Sequence, residues 1–145
     1  MKIAIFPGSF DPFTRGHADI VERGLHIFDK VIVAVGVNEH KHCSATVEQR
    51  IADISRCLND KADVEVIAYD NLTADFARQH GADFILRGVR SLKDYEYERD
   101  IADINYRLDG IETIILFSKP ELAAVSSSLV RELQHFGKDI SDLIP

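Results

Sequence analysis

The string Pro7-Gly8-Ser9-Phe10-Asp11-Pro12-Phe13-Thr14-Arg15-Gly16-His17 joins a short apolar run, residues 2–6, to a segment of helical period. Such a string is suited to holding an anion. Gly8 lets backbone N–H groups come close to a ligand, and Ser9 adds a hydroxyl donor. Gly16 and His17 fall where the helix should open, and the free N–H groups of a helix N-terminus attract phosphate. A histidine there can donate to a phosphoryl oxygen, to greatest effect when that oxygen gains charge in a transition state. Neither G-x-x-x-x-G-K-[ST] nor G-x-G-x-x-G occurs, so this is not a Walker A loop or a dinucleotide fingerprint. A Gly-His pair can also be no more than a solvated turn; the whole strand–loop–helix string weighs against that.

Three further clusters could meet the same ligand. Arg87-Gly88-Val89-Arg90 follows an apolar run, and two arginines flanking a glycine are costly to hold together without an anion beside them. Their planar forks suit bidentate contact with phosphate; Asp94 and Glu96 are the competing partners on spacing alone. Ser126-Ser127-Ser128 opens a helix, where one serine suffices as N-cap and the N–H groups suit the outer phosphates of a triphosphate. Lys41 stands in Asn38-Glu39-His40-Lys41-His42-Cys43, just past an apolar run, where a point charge can neutralise a phosphate. His40, His42 and Cys43 match no usual zinc spacing and read as loop residues; no carboxylate cage for a metal is visible.

These clusters need a frame. Residues 2–6, 31–37, 64–68, 84–86 and 113–117 are short apolar runs without polar alternation, as in strands buried on both faces. Residues 17–28, 73–80, 94–108 and 127–136 have helical period, as does a stretch capped by Thr46 with Val47, Ile51, Ile54 and Leu58 in its stripe. A last turn is expected over residues 140–144. Strict alternation predicts an α/β fold: a Rossmann-like five-stranded parallel sheet with helices on both faces, one domain over residues 1–145. Ligands of such sheets bind beyond the carboxyl ends of the strands, where each cluster falls.

Composition narrows the partners. With 17 Lys plus Arg against 24 Asp plus Glu the formal charge is -7, which is no footprint for duplex nucleic acid. An anion must be held by a local positive cluster working against the overall field. No apolar run reaches the ~20 residues of a membrane span, and residues 1–6 are too short for a signal peptide's apolar region. Cys43 and Cys57 form no C-x-x-C pair, so a reducing cytoplasm is the expected setting.

Thr14-Arg15-Gly16-His17 resembles the signature of the [HT]-x-G-H nucleotidyltransferases. Its Thr-first form after P-G-S-F-D-P, with R-G-V-R and then V-S-S-S-L-V-R-E, resembles the phosphopantetheine adenylyltransferase family over nearly the whole chain. Cytidylyltransferases usually have His in the first position. The resemblance implies transfer of AMP from ATP to 4'-phosphopantetheine, giving 3'-dephospho-coenzyme A and pyrophosphate in coenzyme A biosynthesis. It makes His17 and Lys41 catalytic. It assigns Ser9, Phe10, His17, Gly88, Val89, Arg90 and, through a D-[FY]-x-Y-E pattern, Glu98 to ATP. The segment Leu122, Ala123, Ala124, Val125, Ser126, Ser127 and Ser128 goes to ATP as well. Ser9, Lys41, Thr73 and Arg87 go to the acceptor.

Mg²⁺ bound mainly through the ATP phosphates, a homohexamer and feedback by coenzyme A are implied by the same kinship. A phosphate oxygen is already nucleophilic near neutral pH, so His17 is expected to stabilise charge and abstract no proton. Cys43-Ser44-Ala45 and Ala123-Ala124 lack aromatic residues common in the family, so the adenine pocket is expected to be lined differently. The competing readings are a nicotinate- or nicotinamide-mononucleotide adenylyltransferase and a non-catalytic nucleotide or coenzyme A sensor. The presence of His17, Lys41 and Arg87 speaks against the sensor.

Overall fold

The structure is a computed structural model that describes residues 1–38 and 42–145. The expectations for His40 and Lys41 lie outside the described residues. The elements run β1 (Ile3–Gly8), α1 (Arg15–Gly24), β2 (Lys30–Gly36), α2 (Val47–Cys57), β3 (Val64–Tyr69), α3 (Thr73–Gln79), β4 (Phe84–Val89), α4 (Leu92–Asp109), β5 (Glu112–Phe117) and α5 (Ser127–His135). A 3-10 turn, Pro120–Leu122, precedes α5.

The strands form one parallel sheet in the order β3-β2-β1-β4-β5. Side chains alternate across it. Ala4, Phe6, Val31, Val33 and Leu86 pack with Ile20 and Val21 of α1 and Ile54 of α2. Ile5, Ile32 and Ile85 pack on the other face with Ala74, Phe76 and Ala77 of α3. Burial on both faces is why the central strands β1 and β2 read as continuous apolar runs, while the edge strands β3 and β5 are only partly buried. Each fully buried Ile or Val contributes about 1.5–3 kcal/mol. The expected Rossmann-like parallel sheet, covered on both faces, is what forms.

Several boundaries differ from expectation. β1 continues through Pro7 and Gly8 because β2 partners it as far as Gly8↔Val35. β4 carries Arg87, Gly88 and Val89, each paired with β5, so these are strand residues and not loop residues. α1 opens at Arg15 with Thr14 as N-cap, ahead of the expected start at His17, and ends at Gly24. Residues 25–27 turn instead, which sets Phe28 against Phe84 at 5.4 Å between ring centroids.

β1 and β4 are partners only at Ala4↔Phe84 and Ile5↔Ile85. Beyond those pairs the two strands part while each keeps its outer neighbour. The gap lies where the strand order reverses, the place where such sheets take ligands. α4 is inverted in character: its buried residues are Glu98 and Asn105, while Leu92, Tyr97, Ile104, Tyr106 and Leu108 are exposed. It ends at Gly110, whose φ of +68° few other residues adopt.

Candidate active site

Thr14 and His17 form a closed pair at the first turn of α1. Thr14 Oγ1 accepts the His17 backbone N–H at 3.3 Å, and the Thr14 N–H donates to Nδ1 of the His17 ring at 3.0 Å. A reciprocal cap of this kind usually has Glu or Gln at the third helical position; here an imidazole takes that part. A backbone N–H can only donate, so Nδ1 is the acceptor and the proton of the neutral ring sits on Nε2. Phe10 and Phe13 flank the ring at centroid distances of 5.0 and 5.5 Å, with Phe6 at 6.1 Å. Burial, and then the charges of Arg87 and Arg90, push its pKa down to about 3. His17 is therefore neutral at physiological pH, with Nε2–H as its donor.

Gly8 has a reason beyond ligand approach. A Cβ there would stand 2.9 Å from Cζ of Phe10, whose ring lies over it. Phe10 itself holds φ at +50°, uncommon for a residue with a side chain. That conformation turns its ring inward, where it is 4% exposed and meets His17 edge-on.

Arg87 stands in the gap between β1 and β4. Its Nε donates to Glu98 Oε2 at 2.8 Å, its Nη2 to Glu98 Oε1 and its Nη1 to the Pro7 carbonyl. Glu98 is buried and holds the guanidinium by two N–H groups, which fixes the orientation of the half-buried Arg87. One N–H on each Nη remains for a ligand.

Two cavities meet at this arginine. The first, of about 290 Å³, is lined by Ser9, Phe10, His17, Gly88, Arg90, Val125, Ser126, Ser127 and Ser128 among others. The second, of about 420 Å³, is lined by Tyr69, Thr73, Tyr97, Glu98 and Asn105 among others. Pro7, Gly8, Ser9 and Arg87 belong to both. Most residues expected at ATP thus share the first cavity, and Thr73 lies in the second. Glu98 lines the second and reaches the first through Arg87. Val89 is buried, and Leu122, Ala123 and Ala124 stand ahead of the serine run without lining the first cavity.

Positive groups collect here despite the charge of -7. Arg87, Arg90 and Arg131 all line the first cavity. Arg90 Nε lies 3.3 Å from Asp94 Oδ2, one of the two carboxylates its spacing allowed. The serines divide their work. Ser126 Oγ caps α5 by accepting the Leu129 N–H at 3.1 Å, and Ser127 Oγ donates to the Pro12 carbonyl at 2.7 Å. With the Leu129 N–H capped by Ser126, the N–H groups of Ser127 and Ser128 at the start of α5 have no partner within the helix and suit phosphate oxygens. In the second cavity Tyr69 Oη and Thr73 Oγ1 are 3.2 Å apart.

Sequence reasoning gave no role to Asp11, Arg50 or Arg131. Asp11 is 5% exposed; its Oδ2 accepts the Ser44 N–H at 2.7 Å and its Oδ1 the Ala45 N–H at 3.2 Å. Arg50 is 6% exposed, and its Nη1 donates to the carbonyls of Ser9 at 2.5 Å and Gly36 at 3.3 Å. Arg131 donates to the Asp11 carbonyl at 2.7 Å and to Ser128 Oγ at 3.2 Å. A signal for Arg50 existed: it lies between Val47 and Ile54 on the apolar stripe of α2, where a solvated arginine has no place.

The family model described as cytidylyltransferase-like matches residues 5–133, which sets the chain among the nucleotidyltransferases of that type. A phosphopantetheine adenylyltransferase of Bacteroides fragilis is 52% identical over 145 residues, covering 100% of this chain and 97% of the relative. One from Porphyromonas gingivalis is 52% identical over 144 residues (99% and 94% covered), and one from Leuconostoc citreum 50% over 139 (96% and 88%). The chain belongs to the phosphopantetheine adenylyltransferase family. A crystal structure of a bifunctional NMN adenylyltransferase/ADP ribose pyrophosphatase from Francisella tularensis, complexed with AMP and a Mn ion, superposes with a TM-score of 0.71. At 16% identity it shares the fold alone, and this chain spans 43% of its length.

Proposed function

We infer that this chain transfers the adenylyl group of ATP to 4'-phosphopantetheine, releasing pyrophosphate and 3'-dephospho-coenzyme A for coenzyme A biosynthesis. The observation that carries the reading is the pair of cavities meeting at Ser9 and Arg87, with His17 on one side and Thr73 on the other. ATP lies in the first cavity and the acceptor in the second. An oxygen of the acceptor phosphate attacks the α-phosphorus, the bond to the bridging oxygen of the β-phosphate breaks, and pyrophosphate leaves in line.

The chain's own groups position and neutralise. His17 donates Nε2–H to an α-phosphoryl oxygen as its charge grows, and Lys41 adds a positive charge. Arg87 holds the acceptor phosphate through the N–H groups Glu98 and Pro7 leave open. Arg90 and the opening N–H groups of α5 hold the leaving phosphates, and Gly88 lets β4 lie close to Ile20 of α1 at the wall of the ATP cavity. Thr73, with Asn105 and Tyr97, lines the path of the pantetheine arm.

Asp11 lines the first cavity, and each of its oxygens accepts a backbone N–H. Among the described residues no group of three or more His, Cys, Asp or Glu could hold a metal ion. Mg²⁺ is proposed as an ion carried on ATP, where it would keep its waters and offset phosphate charge. The exposed apolar residues of α4 and Phe117 support burial between copies, and a homohexamer is the assembly proposed. Coenzyme A, which contains the acceptor's pantetheine arm, is proposed as a feedback ligand of the same cavities. The free thiols of Cys43 and Cys57 suit a cytoplasmic setting.

The test is pyrophosphate release from purified protein offered ATP with 4'-phosphopantetheine. Release only with CTP, or only with nicotinamide mononucleotide as acceptor, would replace this reading.

A further inference from the structure

We propose that Asp11 and Arg50 are positioning residues of the transfer reaction: they latch the loop after β1 to the segment after β2 and so set how the two cavities face each other. The proposal rests on the adenylyl-transfer reading above.

Each is a buried charge, and each spends it on backbone groups of another element. Arg50 reaches from α2 to the carbonyls of Ser9, just past β1, and Gly36, the end of β2. Asp11 reaches the other way, from the loop after β1 to the N–H groups of Ser44 and Ala45, just ahead of α2. The two contacts cross one junction in opposite directions. The loop cannot slide along α2 without breaking one of them.

Such an arrangement is a poor device for stability. Buried charges lose their hydration, and apolar residues of similar size pack at less cost. Nε of Arg50 is in addition buried without a hydrogen-bond partner among the described residues. What the latch supplies is direction. Ser9, whose carbonyl Arg50 holds, lines both cavities. Phe10 follows it, and the Phe10 ring packs edge-on against His17. A shift of the loop therefore moves Ser9, Phe10 and His17 relative to Arg87 on β4. In-line attack tolerates little, since a misplacement of about 1 Å costs about 10²-fold in rate. The leaving phosphates meet Arg90 and the opening N–H groups of α5 in this reading; the loop touches α5 through the Asp11 and Pro12 carbonyls, which Arg131 and Ser127 hold, while the side chains of Asp11 and Arg50 point to other partners. Affinity for ATP should therefore fall much less than the rate.

Arg50→Lys and Asp11→Asn in the full chain test this. Lysine is one bond shorter and presents no fork, and asparagine offers one oxygen where two N–H groups need acceptors. The expected result is a kcat lower by about 10- to 100-fold, with the calorimetric Kd for ATP within about threefold of wild type. The double variant should be about as slow as the slower single one, because both break one junction. An unchanged kcat with a lower Tm would overturn the proposal, as would multiplicative losses or a loss of ATP binding equal to the loss of rate. If Arg50→Lys does not fold, Asp11→Asn decides alone. A wild-type chain that forms no product removes the adenylyl-transfer reading and the latch together; active wild type with unaffected variants removes the latch alone.

Discussion

The N–H of Thr14 meets Nδ1 of His17 at 3.0 Å and thereby decides which ring nitrogen carries the proton. With the ring pKa lowered to about 3 by burial and then by Arg87 and Arg90, that tautomer persists across the working range of pH. Nitrogen NMR of the ring should show a protonated Nε2, a bare Nδ1 and no titration between about pH 5 and 9. A midpoint near the ordinary histidine value would contradict it.

The same shift links to stability. Between about 6.5 and about 3 the unfolded chain binds a proton at His17 that the folded chain refuses. This contribution is whole above about pH 6.5 and declines as pH falls. Denaturant unfolding at pH 7 and pH 5 should therefore show a smaller loss in His17→Gln than in wild type.

His17→Ala should lower kcat by about 10²- to 10³-fold, as loss of an oxyanion donor does, with little change in the Kd for ATP. Any acid limb in kcat/KM for the acceptor should fall near pH 6, where a phosphate monoester loses its second proton, and should remain in the variant. A limb that vanishes with His17 would make the ring a general base.

Glu98 is tied to Arg87 and lines the second cavity, so Glu98→Gln should act on the acceptor more than on ATP. The KM for the acceptor should rise about tenfold, and the Kd for ATP should stay within about twofold. Breaking one partner of a buried pair should also lower stability, by about 3 kcal/mol in thermal unfolding.

Gly8→Ala should lower stability by about 1–3 kcal/mol, because the added methyl meets the Phe10 ring at 2.9 Å. Phe10→Leu placed in the same chain should recover part of that loss. Equal losses in the single and double variants would show that the ring is not the obstacle.

The central strands were legible because burial on both faces leaves little that is polar in them, as in the run from Val31 to Val35. The serine cap of α5 and the Thr46 cap of α2 were legible from residue type and the periodicity behind them. What pairing with a distant strand decides was not. Arg87, Gly88 and Val89 belong to β4 because β5 partners them, and nothing local announces that. Helical period located α4 but could not say which face is inside, and the cavity draws in Glu98 and Asn105 while the apolar face stays out. The start of α1 at Arg15 puts His17 at the capping position and so fixes its tautomer, a consequence of two residues in a boundary. The Asp11–Ser44 and Arg50–Ser9 contacts span 33 and 41 residues and follow from the folded sheet alone.

The proposed chemistry reduces to one step, a direct in-line passage of the adenylyl group between substrates held in adjoining cavities. ATP made chiral at the α-phosphorus with sulfur and an isotopic oxygen, turned over with 4'-phosphopantetheine, tests that step. Inversion at phosphorus in the dephospho-coenzyme A formed, with no exchange of labelled pyrophosphate into ATP when the acceptor is absent, is the predicted result. Retention of configuration, or exchange without acceptor, would contradict direct transfer, because each requires an adenylyl group bound covalently to the protein.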